Sequence, residues 1–123
     1  MKWYILSAIL ALTTLVAAEQ YTDRYDSMNV DEILANRKLL IPYIKCVLGQ
    51  GRCTPEGKEL KAHIKDAMQS ACEKCTDKQK VYAKKVVKHI KAQEAQYWQD
   101  LKKYYDPKNE YQHTYEGFLA SED

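Results

Sequence analysis

From Asn29 onward the apolar positions recur with a helical period, and no segment shows the strict alternation of a half-buried strand. Asn29-Val30-Asp31-Glu32 has the form of a capping box, with Met28 and Ile33 at the positions of a hydrophobic staple, which predicts a short helix to about Asn36. A second helix is predicted from Arg37 to Leu48, its apolar face formed by Leu40, Tyr43, Ile44, Val47 and Leu48. Pro42 lies inside it and is expected to kink it or delay its start. Thr54-Pro55-Glu56 opens a third, since threonine caps, proline suits the first helical position and glutamate faces the positive end of the dipole. Its stripe is Leu60, Ile64, Ala67, Met68 and Ala71.

A second capping box, Thr76-Asp77-Lys78-Gln79, predicts the longest helix, to about Gln96. Tyr82, Val86, Ile90 and Tyr97 share one side of it, widened by Ala83 and Val87. Trp98 to Tyr105 reads as a short further helix ended by Asp106-Pro107, because the residue before proline avoids the α region. A last helix from about Asn109 to Leu119 presents Tyr111, Tyr115, Phe118 and Leu119. Five or six short helices without strands or repeats make an all-α, compact single domain.

The pattern before Asn29 is different. One positive charge, Lys2, precedes an apolar run from Ile5 to Val16, and Val16 and Ala18 supply small residues at the positions a signal peptidase reads. Residues 1–18 are therefore expected to be a cleaved signal peptide, leaving 19–123 as a secreted domain. The run is shorter than the ~20 residues a spanning helix needs, and no later segment is apolar enough, so no stable membrane insertion is expected.

The 123 residues carry a formal charge of +2, and loss of Lys2 lowers it by one, which gives no clustered basic excess of the kind that marks nucleic-acid binding. Lys84, Lys85, Lys88 and Lys91 read as a solvated face of the long helix; a patch for anionic lipid head groups is the sharper alternative. No catalytic constellation is present: His63, His89 and His113 fall on separate predicted helices without a metal motif, as lone surface or capping histidines, and Ser27, Ser70 and Ser121 have no nucleophile-elbow context. We expect no enzyme, no cofactor and no metal. Composition adds one oddity, ten Tyr against one Phe and two Trp. Each tyrosine can be a core residue with its hydroxyl at the surface, or together they can wall an apolar cavity and meet a polar head group.

Cys46, Cys53, Cys72 and Cys75 follow the spacing C-x6-C-x18-C-x2-C. An even count in a secreted domain favours disulfides over zinc or a redox C-x-x-C, and three pairings are open, of which the local one is easiest to close. A bond between Cys72 and Cys75 is incompatible with a regular helix continuing there.

Tyr21-Thr22-Asp23-Arg24-Tyr25-Asp26, the run from Asn29 to Asn36, the run from Cys46 to Leu60, the cysteine spacing and Tyr104-Tyr105-Asp106-Pro107 together resemble the insect chemosensory, or OS-D-like, proteins across essentially the whole mature chain. The resemblance implies pairing of Cys46 with Cys53 and of Cys72 with Cys75, and about six helices around an apolar channel. It also implies a soluble carrier of long-chain alcohols, acids and esters of the odorant and pheromone type. Carried onto this chain, it places Tyr25 near the channel mouth and Leu40, Ile44, Val47, Leu60, Ile64, Val86 and Ile90 along it. Tyr43, Trp98 and Tyr115 become aromatic walls. A monomer with a small hydrophobic ligand is expected, its receptor unknown.

Burying a twelve-carbon chain contributes roughly 10 kcal/mol at ~0.8 per methylene, against an association cost on the order of 4 kcal/mol or more. Most of the gain tracks chain length, so discrimination among head groups falls to a few hydroxyls. The alternative is a secreted interaction or developmental factor that acts through a protein partner, its tyrosines packed in a filled core. A saposin-like membrane-active domain is a third, weaker fit, because such domains join distant helices with six cysteines.

Overall fold

The computed structural model describes residues 29–121. They form six helices, α1 (Val30–Ala35), α2 (Arg37–Val47), α3 (Pro55–Ser70), α4 (Asp77–Gln93), α5 (Ala95–Tyr105) and α6 (Gln112–Ala120), with no strand among the described residues. The signal segment 1–18, Met28 of the staple and Tyr25 lie outside the described residues.

The caps follow the sequence pattern. Asn29 accepts the amide of Glu32 at 3.0 Å and starts α1. The Asn36 backbone amide closes α1 by donating to the Ile33 carbonyl, and its side chain opens α2 by accepting the amide of Lys38 at 3.1 Å, so one residue joins two helices without a loop. Thr54 accepts from Gly57 at the head of α3, and Thr76 and Gln79 complete the reciprocal box at the head of α4.

Pro42 neither breaks α2 nor delays it, since the helix starts at Arg37 and runs through. The proline removes the amide that would bond Lys38, and both residues are exposed, where that carbonyl can face water. Two boundaries move from their predicted places. The chain leaves α4 at Glu94 (φ −132°, ψ 64°), whose carboxylate is gripped by Arg37 at 2.9 and 3.1 Å, so Tyr97 rides on α5 instead of α4. The same contact holds the Glu94 carboxyl below its usual range and raises the Arg37 guanidinium. The last helix starts at Gln112, not near Asn109, because the buried carboxylate of Asp106 captures the amides of Glu110 and Tyr111 at 2.6 and 2.9 Å and bends the intervening residues into a loop.

α3 is the central helix, packed against α2, α4, α5 and α6, while α1 bridges α2 and α4. Leu40, Ile44, Ile64, Met68, Ile90 and Leu101 are the largest apolar side chains wholly removed from water. Both disulfides are the local ones, Cys46–Cys53 from the last turn of α2 to the loop before α3 and Cys72–Cys75 between α3 and α4. Lys84 departs from the solvated face assigned to it. It is buried, with its ammonium donating to the Ser121 carbonyl and hydroxyl at 2.9 and 2.8 Å and lying over the Phe118 ring. The aliphatic stem is thus core and the head ties α4 to the end of α6.

Tyr105 does a similar service for α2. Its hydroxyl donates to the Val47 carbonyl at 2.6 Å, one of the helix-terminal carbonyls without an intrahelical partner. Burial, reinforced by Tyr104, pushes the Tyr105 phenol up. A raised phenol favours the neutral form in the folded state, so its contribution is present below the ordinary value near 10 and is lost as pH rises toward the folded value. Tyr105→Phe is expected to lower the unfolding free energy by about 1–3 kcal/mol in urea at neutral pH, the cost of a stranded buried carbonyl. The same variant should show a flatter loss of stability above pH ~10.

Candidate functional site

The apolar faces of α1, α2, α3 and α4 meet along a slit lined by Val30, Ile33, Leu40, Tyr43, Ile44, Val47, Leu60, Ile64, Val86 and Ile90. The residues converge because each helix supplies the stripe read in its sequence: Leu40, Ile44 and Val47 from α2, Leu60 and Ile64 from α3, Val86 and Ile90 from α4. Ile33 and Tyr43 are half-buried and form the rim, and Tyr43 brings the single hydroxyl of the lining. The open volume is about 10 Å³, room for no more than one water-sized probe. Among the described residues the slit is therefore nearly filled and has the form of a closed seam.

Leu40, Tyr43, Ile44, Val47, Leu60, Ile64, Val86 and Ile90 from the candidate set are brought together by this slit. Trp98 and Tyr115 are not part of its lining. They meet each other edge to face, 5.7 Å between centroids, under the outer groove between α5 and α6. That groove holds about 650 Å³ and is mostly polar, with Lys91, Lys102, Asp100 and Glu116 at its walls. Burial, then the Asp106 and Glu116 carboxylates, raises the Tyr115 phenol. Lys91 and Lys102 both approach the Trp98 ring, at 5.7 and 5.3 Å from its centroid. A further groove of about 810 Å³ runs between α4 and α6, past Val81, Lys84 and Phe118.

Sequence reasoning missed three residues here. Val30 and Ile33 line the slit, and their only signal was the capping pattern that fixes which side of α1 faces inward. His63 is 1% exposed, not a surface or capping histidine, and its Nδ1 lies 2.5 Å from the Tyr82 hydroxyl. On its other side, Nε2 lies 3.7 Å from Glu59. The signal was available: His63 is three residues from Leu60 and adjoins Ile64, inside the α3 stripe.

The cysteine chemistry is closed by geometry. Asp66, Cys72 and Cys75 cluster, yet both sulfurs are joined to each other, and Asp66 bonds the Ser70 hydroxyl and the Lys74 amide. The pair sits between two helices, without the strand that precedes a thioredoxin-like C-x-x-C.

The model of the insect pheromone-binding family, A10/OS-D, matches residues 21–113. The chain belongs to this OS-D family. It is similar to the allergen Tha p 1 of Thaumetopoea pityocampa, 44% identical over 118 residues, which cover 92% of this chain and 94% of that protein. Among solved structures it resembles antennal chemosensory protein A6 from the moth Mamestra brassicae, at TM-score 0.69 and 45% identity, covering 80% of this chain and 92% of that one. A chemosensory protein in complex with bromo-dodecanol matches at TM-score 0.69 and 46% identity, over 80% of this chain and 98% of that chain. The OS-D family is one of binding proteins, not enzymes.

Ile64 lines the slit and is wholly buried. Ile64→Ala is expected to lower stability by about 2–5 kcal/mol, as truncations that leave a cavity do. Urea denaturation followed by circular dichroism measures it.

Proposed function

We propose that the chain is a secreted carrier that takes a long-chain, weakly polar ligand into the slit between α1, α2, α3 and α4. The observation that carries this reading is the lining itself. Ten residues from four helices meet with one hydroxyl among them, Tyr43 at the rim, which is a chemistry suited to an aliphatic chain and little else. The related protein seen in complex with bromo-dodecanol supports the same ligand class. The signal-peptide pattern of residues 1–18 supports export.

The slit must widen to accept such a ligand, since ligand sites generally hold some 300 Å³ or more and this one holds about 10 Å³. α1 is the segment best placed to yield. It has six residues, one of them buried, and the ion pair that joins it to α4 is the exposed Asp31–Lys85 pair at 3.0 Å. An exposed pair of this kind is a weak restraint. The nearly filled core is also what an interaction factor with a protein partner requires, so that second reading stands on the same measurement.

Calorimetric titration of residues 19–123 with octan-1-ol, decan-1-ol and dodecan-1-ol decides between them. The carrier binds one to one, and affinity rises by up to about tenfold for each added pair of methylenes. Absence of heat with all three alcohols at a folded, delipidated sample favours the partner reading. Trp98, outside the slit lining, serves as a position marker. Heat without a change in its emission confines the ligand to the slit, and a change extends it past α4.

A further inference from the structure

We propose that the outer face of α2, together with the loop that follows it, docks on an anionic lipid surface and sets the rim of the slit against that surface. The docking face stands on its own observations. That a ligand passes there between membrane and slit rests on the carrier reading above.

Charge singles out the segment. Between Glu32 and Glu56 the chain holds Arg37, Lys38, Lys45 and Arg52 and no acidic residue, in a protein whose formal charge is only +2 over its whole length. Arg37 is taken by Glu94. Among the described residues, Lys38, Lys45 and Arg52 have no carboxylate within ion-pair distance.

Helix register turns these charges outward. Leu40, Ile44 and Val47 make one side of α2 a wall of the slit, and Lys38, Leu39, Pro42 and Lys45 on the opposite side are all exposed. They fall at i, i+1, i+4 and i+7, one stripe about 10 Å long. Leu39 is 40% exposed, an aliphatic side chain set among cations. The loop continues the face. The Cys46–Cys53 disulfide, with Cα atoms 5.0 Å apart, and the bond from the Gln50 amide to the Lys45 carbonyl at 2.7 Å fold it back on the end of α2. Arg52 thereby shares a hollow of about 90 Å³ with Pro42 and Tyr43. Tyr43 also lines the slit, so the cationic face and the slit meet at one residue.

Unpaired cations around an exposed leucine suit a surface of phosphate head groups over hydrocarbon, the ammonium and guanidinium groups taking the phosphates and Leu39 the apolar layer beneath. The lysines of α4, the lipid patch considered from the sequence, offer no such face. Lys84 is buried, Lys85 is paired with Asp31 and Lys91 lies over Trp98. Each free cation strengthens adsorption to an anionic leaflet about fivefold. The contact is reversible and involves no insertion, because the inner side of α2 stays in the core.

Sedimentation of residues 19–123, delipidated, with vesicles tests the face. The chain is expected to bind vesicles of phosphatidylcholine mixed with phosphatidylglycerol, not those of phosphatidylcholine alone, and to leave them as salt rises. Lys45→Gln with Arg52→Gln should weaken binding about 25-fold. Lys88→Gln with Lys108→Gln removes the same charge elsewhere and should stay within about twofold of wild type. Leu39→Ser, which leaves the charge untouched, should weaken binding about threefold. Equal binding to both vesicles, or to neither, overturns the proposal, as does equal weakening by the two double variants or an unaltered Leu39→Ser. Capture by immobilised poly-glutamate without binding to the anionic vesicles assigns the face to an acidic protein and overturns it too. No alcohol is present in these measurements, so their failure leaves the carrier reading and its titration untouched.

Discussion

Everything in the arrangement of the core hangs on the corner between α3 and α4. The chain reverses there in six residues, with Ala71 and Cys72 both left-handed, at φ 57° and 63°, a conformation unfavourable for residues with a Cβ. Asp66 makes the corner tenable. Its carbonyl receives the Cys72 amide at 3.0 Å, and its carboxylate holds the Lys74 amide at 2.9 Å and the Ser70 hydroxyl. The disulfide then restricts the few remaining torsions. Because the turn is fixed, the two helices meet in one register, in which Tyr82 bonds His63 across the interface. The small loop it closes gives little chain entropy; its service is to the register.

Much of this was legible in the sequence because caps and stripes are local. Thr76 and Gln79 announced α4, Thr54 and Pro55 announced α3, and the stripes on α2, α3 and α4 named most of the slit lining. The failures share one cause, a long-range partner that no window of sequence contains. Glu94 ends α4 because Arg37, fifty-seven positions earlier, grips it. Lys84 looked like surface because its neighbours Lys85 and Lys88 are surface, and only the Ser121 carbonyl and Phe118 ring on α6 explain its burial. Trp98 and Tyr115, expected as walls of the channel, pair with each other under the α5–α6 groove, outside the slit lining, and that pairing could not be read from either helix alone.

A closed slit changes the arithmetic of carriage. The apolar gain from burying a chain is paid in part to separate walls that already touch, so apparent affinity is reduced by the fraction of time the slit stands open. That reduction is the same for every ligand of equal girth. Chain length continues to decide affinity, while the opening cost keeps it modest, which is what a carrier that must also release its cargo requires. The walls are aliphatic, and aliphatic contacts are not directional, so the lining discriminates poorly among chains.

Selectivity must then come from the few polar atoms the slit can reach, and their depth decides how much each is worth. A hydroxyl at the rim, such as that of Tyr43, competes with water on both sides of the exchange, and a hydrogen bond made there gains little. A hydroxyl below the rim competes with no water once the chain behind the ligand head seals the seam. The penalty for a mismatched head is also greatest there, because a buried donor or acceptor left without a partner forfeits its full hydration. A nonspecific aliphatic slit is therefore broad in chain, and narrow in head group only as far as a polar atom lies below its rim.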